Sequence, residues 1–315
     1  MPTNKLDLDD LHRQLRTWTG EGELPGAAIF AMQGQTVLDD SYFGYKDVEK
    51  SLVIDNNSLF RLASATKIFT SVVFLTLVDQ VQVSLIDPVS KYLPEYQSLK
   101  IFTDTGSTSP AKNMLTIEDL LRHSNGFAYG DNKPYQSALN AAGLLDVSKK
   151  LGLDWRHTLS LREWARRLST VPMEFEAGTN VIYGLGHDII AAVIEVITGI
   201  SAEQFFRESL TEPLNLGSTF FTVPEDRKDD LTNFYSIRKG ELTCLEQAST
   251  SPFLRNPTSV SGGGGWDMLG NGGLVSNTHD FSRLLRMILN GGSLDDVQIL
   301  KPATAKLLTQ NRTAG

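Results

Sequence analysis

Apolar positions near the start of the chain recur at two different spacings, and each spacing predicts one kind of element. Four apolar residues at three- and four-residue intervals predict an amphipathic helix over residues 5–19: Leu8, Leu11, Leu15 and Trp18. Two shorter apolar-rich runs follow, at residues 27–32 and 36–45, with Gln-Gly-Gln between them. Two such runs on either side of a short glycine-containing turn predict a β-hairpin.

Longer apolar stretches predict the helices of the core. Residues 68–83 are apolar nearly all round, which is typical of a fully buried helix. Residues 187–198, followed by Gly199, and residues 278–290 predict two more helices. Three helix starts carry the residues of a capping box: Thr116–Asp119, Ser160–Glu163 and Ser201–Gln204. Short strand-like runs occur at residues 58–62 and 273–276, and after Pro213 the chain changes to short runs such as residues 218–223.

This order of elements predicts a single α/β domain over residues 1–315. We expect an α/β lobe built from both ends of the chain, residues 1–85 and 214–315, and an all-helical lobe from residues 86–213 between them. The chain ends soon after its last predicted helix without further strand patterns. We therefore expect that C-terminal strands of such a domain are missing from these residues.

Composition and charge exclude several classes of function. Lys and Arg number 29 against 37 Asp and Glu, so the formal net charge is −8, which argues against a nucleic-acid partner. No run approaches the ~18 apolar residues of a membrane span, and the N-terminus lacks the apolar core of a signal peptide. We expect a cytoplasmic protein with no membrane partner. The single cysteine, Cys244, excludes an intrachain disulfide.

The strongest chemical pattern is Ser64-Ala-Thr-Lys67. The spacing Ser-x-x-Lys also occurs at Ser109 and Ser236, but only Ser64 lies at the start of an apolar helix. A spacing of three places both side chains on one helix face, and the helix dipole favours a developing anion near its N-terminus. Burial favours the neutral form of a lysine, which is a usable base. The alternative is a capping serine followed by an ordinary lysine.

Tyr183 favours the catalytic interpretation. It precedes a predicted helix in the segment Asn-Val-Ile-Tyr-Gly-Leu-Gly-His at residues 180–187. A phenol loses its proton only near pH 10, so it serves as a base only beside a cation, and Lys67 is the candidate. Ser64, Lys67 and Tyr183 in contact would form a nucleophile with a two-step proton relay. The histidines show no metal-ligand spacing, and His123 is expected to order its loop. We expect no metal and no cofactor.

Several segments, taken in order, resemble the serine β-lactamase and penicillin-binding-protein family, and most closely its class C-like esterases and polyketide acyltransferases. The segments that carry the resemblance are residues 60–67, Leu-Leu-Arg-His-Ser-Asn-Gly at 120–126, Ile-Tyr-Gly-Leu at 182–185, Glu-Val-Ile-Thr-Gly at 195–199, the glycine-rich segment 262–276 and the helix at 280–292. The resemblance implies an antiparallel sheet flanked by helices, with a helical lobe beside it. It also implies that Ser64 is acylated, that Lys67 is its base, and that Tyr183 passes the proton to the leaving group, although which of the two takes the first proton stays open.

Two departures from the family pattern bear on the substrate. Where β-lactam-active members have Tyr-x-Asn, this chain has Leu185, which cannot hydrogen-bond an acylamino group. The Lys-Thr-Gly motif is also missing, and we expect Gly263 and Gly264 to belong to a substrate-side loop. The resemblance thus favours a carboxylesterase or transesterase acting on a small ester or acyl-thioester. A β-lactamase or D-alanyl-D-alanine carboxypeptidase, or a truncated non-catalytic remnant, are the alternatives. The acyl donor, the acceptor and the oligomeric state stay open.

Overall fold

The computed structural model describes residues 7–104, 106–129, 132–144, 159–238, 240–246 and 273–312. Helices dominate the middle of the chain, whereas most strands lie towards its two ends. The helices of these residues are α1 (Asp9–Gly20), α2 (Thr66–Asp79), α3 (Ile117–Leu121), α4 (Lys133–Ala141), α5 (Leu161–Leu168), α6 (Gly186–Thr198), α7 (Ala202–Phe206), α8 (Thr278–Leu289) and α9 (Pro302–Ala305).

The strands of the same residues pair in five small antiparallel sheets. They are β1 (Gly26–Gln33), β2 (Thr36–Asp47), β3 (Leu52–Val53), β4 (Phe60–Arg61), β5 (Lys100–Phe102), β6 (Thr108–Pro110), β7 (Phe234–Arg238), β8 (Glu241–Glu246), β9 (Val275–Ser276), β10 (Ser293–Leu294) and β11 (Val297–Gln298). The longest ladder is the predicted hairpin: β1 pairs with β2 from Gly26–Gly44 to Gln33–Thr36. This prediction is confirmed.

Helices α1 and α8 cover opposite faces of the β1–β2–β3 sheet, and neighbouring carboxylates of β2 mark the two faces. His12 of α1 lies 2.8 Å from Asp39, and His279 of α8 lies 2.9 Å from Asp40, measured from Nε2 to the carboxylate oxygen. Successive side chains of a strand point to opposite faces, so the two helices bind the sheet from opposite sides. The sheet therefore has helices on both faces, as the resemblance implied.

Helix α2 is the central element of the core. Ten of its 14 residues are buried, among them Phe69 and Phe74, and it contacts α6, α7 and α9. A helix surrounded by other elements must be apolar on every side, which is the pattern that predicted it. It ends at Asp79 and not at the predicted residue 83, because the backbone of Val81 turns into the left-handed region with φ 59°.

The predicted helix starts and stops are largely confirmed. The side chain of Thr116 accepts a hydrogen bond from Asp119 N while the Asp119 carboxylate accepts from Thr116 N, which is a complete capping box. At the starts of α5 and α7, the hydroxyls of Ser160 and Ser201 accept hydrogen bonds from Glu163 N and Gln204 N, which is one half of a capping box. Helix α6 ends at Gly199, whose φ of 72° suits glycine.

Several short strands were not predicted. The hydrophobic pattern did not predict the hairpins β5–β6, β7–β8 and β10–β11. The last of these follows α8, so the expectation of no further strands after that helix is wrong. These strands hold two to six residues, too few for an alternating pattern to be distinguished from a loop. The predicted strand at residues 273–276 is shorter than expected, because only Val275 and Ser276 pair, with β4.

The helices between β6 and β7 pack mainly on one another and on α2. Helix α6 contacts α2, α3, α5 and α7, so it is the hub of this helical group. The lobe boundaries at residues 85/86 and 213/214 stay a prediction. Among the described residues no single helix is long and apolar enough to cross a membrane, and α6 passes that test only jointly with residues 202–211, across a bend of 84°.

A polar contact joins α2 to α6 inside this core. The hydroxyl of Ser71 donates a hydrogen bond to the carbonyl of Lys67 (2.8 Å) and lies 3.1 Å from Nε2 of His187. Because a carbonyl only accepts, the Ser71 proton points to Lys67, and Nε2–H of His187 must donate to the Ser71 oxygen. Desolvation, reinforced by the neighbouring His123 and Lys67, holds the pKa of His187 well below its usual range. The buried imidazole is therefore neutral.

The neutral imidazole makes stability depend on pH. An unfolded histidine binds a proton below about pH 6.5 and the buried His187 does not, so stability falls as the pH drops below that value. Between pH 7.5 and pH 5 we expect His187 alone to cost about 2 kcal/mol of unfolding free energy. The measurement is urea denaturation of the wild type and of His187→Gln, which keeps an N–H donor but does not titrate. Parallel pH curves for the two proteins would contradict the assignment.

Candidate active site

Ser64 lies in a tight turn between β4 and α2. The turn is a short 3₁₀ helix, Ala63–Ala65, that runs directly into α2, and Ala63 has a left-handed φ of 44°. A residue with a Cβ pays about 1–2 kcal/mol for that conformation, and such strain is concentrated at functional sites. Strand, strained turn and helix together place the serine at the N-terminal end of α2, where the helix dipole favours negative charge.

The segment after the undescribed residues 247–272 braces this turn. Thr66 Oγ1 accepts a hydrogen bond from Leu274 N (2.9 Å), and Leu62 N donates to the Leu274 carbonyl (2.9 Å). Gly273 has φ +83°, and a Cβ there would lie 2.3 Å from Thr66 Oγ1. Only glycine allows the backbone to approach so closely. Segments that are about 200 residues apart in the sequence thus meet at the first turn of α2.

Lys67 is buried beside the Ser64 hydroxyl. Its side chain is on the same helix face, Nζ lies 3.5 Å from Ser64 Oγ, and the residue is only 6% exposed. Nζ also lies over two aromatic rings, 4.8 Å from the centroid of Tyr183 and 5.8 Å from that of Tyr129. The neighbours that the described residues supply to this ammonium are therefore a hydroxyl and two π faces. The structure brings together all three residues that the sequence predicts to be catalytic.

Two backbone segments hold Tyr183 over the lysine. Ile182 N donates to His123 O and Leu185 N donates to Phe127 O, both at 2.9 Å, so residues 182–185 run beside the loop 123–127. Gly184 sits where the segments touch: a Cβ there would lie 2.0 Å from Phe127 O. The glycine after the tyrosine is thus a requirement of backbone packing. The Tyr183 side chain itself is 48% exposed, so its ring is open to a ligand.

Aromatic rings surround the tyrosine, and the two histidines among them carry no charge at neutral pH. The ring of His123 lies 4.8 Å from that of Tyr183 and 5.1 Å from that of His187, measured between centroids. Burial, with a smaller contribution from the charge on Lys67, lowers the pKa of His123 to about 4. Burial also raises the pKa of Tyr129 far above that of an ordinary phenol. At neutral pH both histidines are uncharged and Tyr129 keeps its proton.

Of the three predicted substrate-binding residues, only Leu185 lies among the residues that the structure describes. Leu185 is 1% exposed and belongs to the hydrophobic core beneath Tyr183, so its side chain does not reach the open face of the site. Any effect of Leu185 on substrate choice acts through packing. Gly263 and Gly264 lie outside the described residues. Their role in substrate binding stays a prediction.

Sequence reasoning missed Tyr129 and the contact between Ser71 and His187. Tyr129 had a usable signal, because it is followed by glycine as Tyr183 is and comes just after the Leu-Leu-Arg-His-Ser-Asn-Gly segment. Ser71 had one as well, since it follows Lys67 by four residues on the same helix face. The described residues contain no group of three metal-ligating side chains.

Comparisons with known proteins identify the family to which this chain belongs. A sequence model of the Beta-lactamase family matches residues 8–315. Protein Rv1367c of Mycobacterium tuberculosis (strain H37Rv) is 27% identical over 317 residues, 98% of this chain and 73% of that protein. The acyltransferase mokF of Monascus pilosus is 26% identical over 325 residues, 96% of this chain and 72% of that protein.

A solved structure shows the same fold. EstCE1, described as a hydrolase with promiscuous acyltransferase activity, superposes with a TM-score of 0.79 at 24% identity, over 98% of this chain and 77% of that protein. The strand–turn–helix around Ser64, the buried Lys67 and the overlying Tyr183 occur within residues that the family model matches. Fold, site and family match lead to one conclusion: this chain belongs to the beta-lactamase family and has the β-lactamase/transpeptidase-like fold.

Proposed function

We propose that this protein is a serine esterase or acyltransferase that acts through an acyl-enzyme on Ser64. The observation that carries the proposal is the contact between the Ser64 hydroxyl and Nζ of the buried Lys67, 3.5 Å apart beneath the ring of Tyr183. Nucleophile and base within reach of each other, with a third group over the base, are what nucleophilic catalysis needs. The substrate would be a small ester or acyl-thioester.

The acylation step follows from these positions. Ser64 Oγ attacks the ester carbonyl, and its proton passes to the Lys67–Tyr183 pair, which accepts it either on a neutral Lys67 amine or on a Tyr183 phenolate. The oxygen of the tetrahedral intermediate develops its charge at the N-terminal end of α2, where the Ser64 amide is one suitable donor. Collapse of the intermediate breaks the bond to the alcohol oxygen, which takes the proton through Tyr183. Water or a second alcohol then repeats these steps in reverse and releases Ser64.

The named relatives, together with the absence of an amide side chain at position 185, favour esters over β-lactams. The relative mokF is called an acyltransferase, and EstCE1 a hydrolase with promiscuous acyltransferase activity. The position of the amide found in β-lactam-active members of the family carries a buried leucine here, so an acylamino group finds no side-chain partner at this position.

The first expected result is that Ser64→Ala abolishes ester turnover and labelling by a fluorophosphonate, since Ser64 supplies the hydroxyl that lies beside Lys67 Nζ. The matched control is Ser109→Ala, because Ser109 also precedes a lysine by three residues but lies in strand β6. Mass spectrometry of the labelled protein locates the adduct. Labelling that persists in Ser64→Ala would rule out the nucleophile, and absence of labelling in the wild type would favour a non-catalytic remnant.

The two tyrosines near Lys67 should differ in their effect on the rate. Tyr183→Phe keeps the ring over the ammonium and removes only the hydroxyl, so we expect kcat/KM for p-nitrophenyl acetate to fall about 10²- to 10⁴-fold. The control Tyr129→Phe alters a buried phenol that keeps its proton, and should change kcat/KM by less than about threefold. Equal losses in both variants would show that Tyr183 has no special role in the relay.

Esters should be better substrates than β-lactams. A missing polar contact costs about 1–3 kcal/mol, which corresponds to roughly tenfold to a hundredfold in rate. We therefore expect kcat/KM for a short p-nitrophenyl ester to exceed that for a chromogenic cephalosporin by at least that ratio. Comparable values on the two substrates would instead support the β-lactamase alternative.

A further inference from the structure

The phenol ring of Tyr183 has to stay over Lys67, yet its side chain is only half buried. The side chain is 48% exposed, and the ring centroid lies 4.8 Å from Lys67 Nζ. Exposed side chains exchange rotamers within nanoseconds unless their neighbours hold them. In the part of the chain that the structure describes, two rings pack against that of Tyr183: His123 at 4.8 Å and Tyr129 at 5.7 Å between centroids. The nearer ring is the stronger candidate for holding the phenol.

His123 contacts this tyrosine through its backbone as well as through its ring. The carbonyl of His123 accepts a hydrogen bond from the amide of Ile182 (2.9 Å), the residue directly before Tyr183. The imidazole packs on the phenol ring at an interplanar angle of 38° and at a separation that aromatic pairs favour. One residue therefore contacts both the backbone that carries Tyr183 and the ring itself.

Two unfavourable features accompany these contacts. The φ of His123 is 61°, in the left-handed region, where a residue with a Cβ is strained. The Nδ1 atom of its ring is buried and has no hydrogen-bond partner among the described residues. Buried polar atoms are nearly always paired, and strained residues are concentrated at functional sites. Both features in one residue, in contact with the tyrosine of the proposed relay, point to a role in placing that tyrosine.

A second imidazole packs against that of His123. The rings of His123 and His187 lie 5.1 Å apart between centroids, and His187 is only 3% exposed. Since His187 belongs to the first turn of α6, its ring is anchored in the core. The rings of Tyr183, His123 and His187 thus form a series that leads from the open site into the core. Because burial lowers the pKa of both imidazoles, neither adds a positive charge near Lys67 at neutral pH.

We propose that His123 is a positioning residue of the proton relay. Its ring, supported by that of His187, holds the Tyr183 phenol where it exchanges a proton with Lys67 and with the leaving alcohol. The inference rests on the proposed function, because it adds a residue to the same relay. His123 itself takes up and releases no proton in the reaction. Its effect is on geometry, and a displacement of about 1 Å at a reacting group can lower a rate about a hundredfold.

Two substitutions separate the ring from the backbone conformation. His123→Asn removes the ring but keeps a residue type that tolerates the left-handed region, and should lower kcat/KM for p-nitrophenyl acetate about tenfold. His123→Phe keeps an aromatic ring against Tyr183 and should stay within about threefold of the wild type. The matched control is His279→Asn, which removes a similar contact, 4.7 Å from the ring of Phe30, and should leave kcat/KM unchanged. All rates are measured well below the melting temperature of each variant.

The leaving group distinguishes a misplaced phenol from a loss of folded protein. Ethanol has to receive a proton as it leaves, whereas p-nitrophenolate leaves without one. Since Tyr183 passes that proton, His123→Asn should lower kcat/KM for ethyl acetate about tenfold more than for p-nitrophenyl acetate. A purely structural role would reduce the amount of active enzyme and lower both values by the same factor. Equal losses on the two esters in the folded Asn variant, or no loss, would overturn the proposal.

A double-mutant cycle tests the series of rings. His187→Gln keeps an N–H donor but removes the ring, and should lower kcat/KM for ethyl acetate about threefold to tenfold in the wild-type background. In the His123→Asn background the same substitution should have little further effect, because the ring of His187 acts on Tyr183 through that of His123. Effects that multiply independently would overturn the series. If His123→Phe does not fold, the Asn variant and this cycle decide.

Failure of this inference is distinct from failure of the proposed function. If the wild type cleaves neither ester and Ser64 is not labelled by a fluorophosphonate, the proposed function itself fails. If both esters are cleaved in a Ser64-dependent reaction and His123→Asn cleaves them as fast as the wild type, only the positioning role is wrong.

Discussion

The structure depends on one unfavourable placement, a lysine ammonium in the interior beside a serine hydroxyl. A buried cation loses its hydration, and here the described neighbours return only a hydroxyl and two aromatic faces. The elements around Lys67 accommodate this unfavourable burial. Helix α2 is apolar on all sides and brings Lys67 inside, and the histidines packed nearby stay uncharged, so they add no second positive charge to the site.

The backbone around Lys67 contains strained residues and glycines in close contact with a neighbouring segment. Ala63 and His123 adopt left-handed conformations on the two segments that meet at the site, and Gly184 and Gly273 stand where a Cβ would collide with a neighbouring chain. Such positions lower the stability of the chain unless the surrounding fold compensates. These four positions fix the backbone that carries Ser64 and Tyr183.

Much of this could be predicted from the sequence, and the residues explain why. The helix that carries Lys67 follows from an unbroken apolar pattern, the hairpin β1–β2 from two runs flanking a glycine turn, and the Ser64–Lys67 pair from a spacing of three. These are local features. The missed features are not: His187 meets Ser71 across 116 positions, and the inward direction of Leu185 depends on a bond to Phe127 O. The short strands β5, β6, β10 and β11 hold too few residues to show a period.

The bond between Ser71 and His187 has a mechanical consequence. It lies one helical turn below the contact between Lys67 and Tyr183, and in each case the lower residue follows the upper by four positions. Helix α2 is therefore joined at two successive levels, to the segment that leads into α6 and to the first turn of α6 itself. Motion that slides α2 along α6 would strain this hydrogen bond, so the bond opposes a change in the distance between base and phenol even though the tyrosine itself is half exposed.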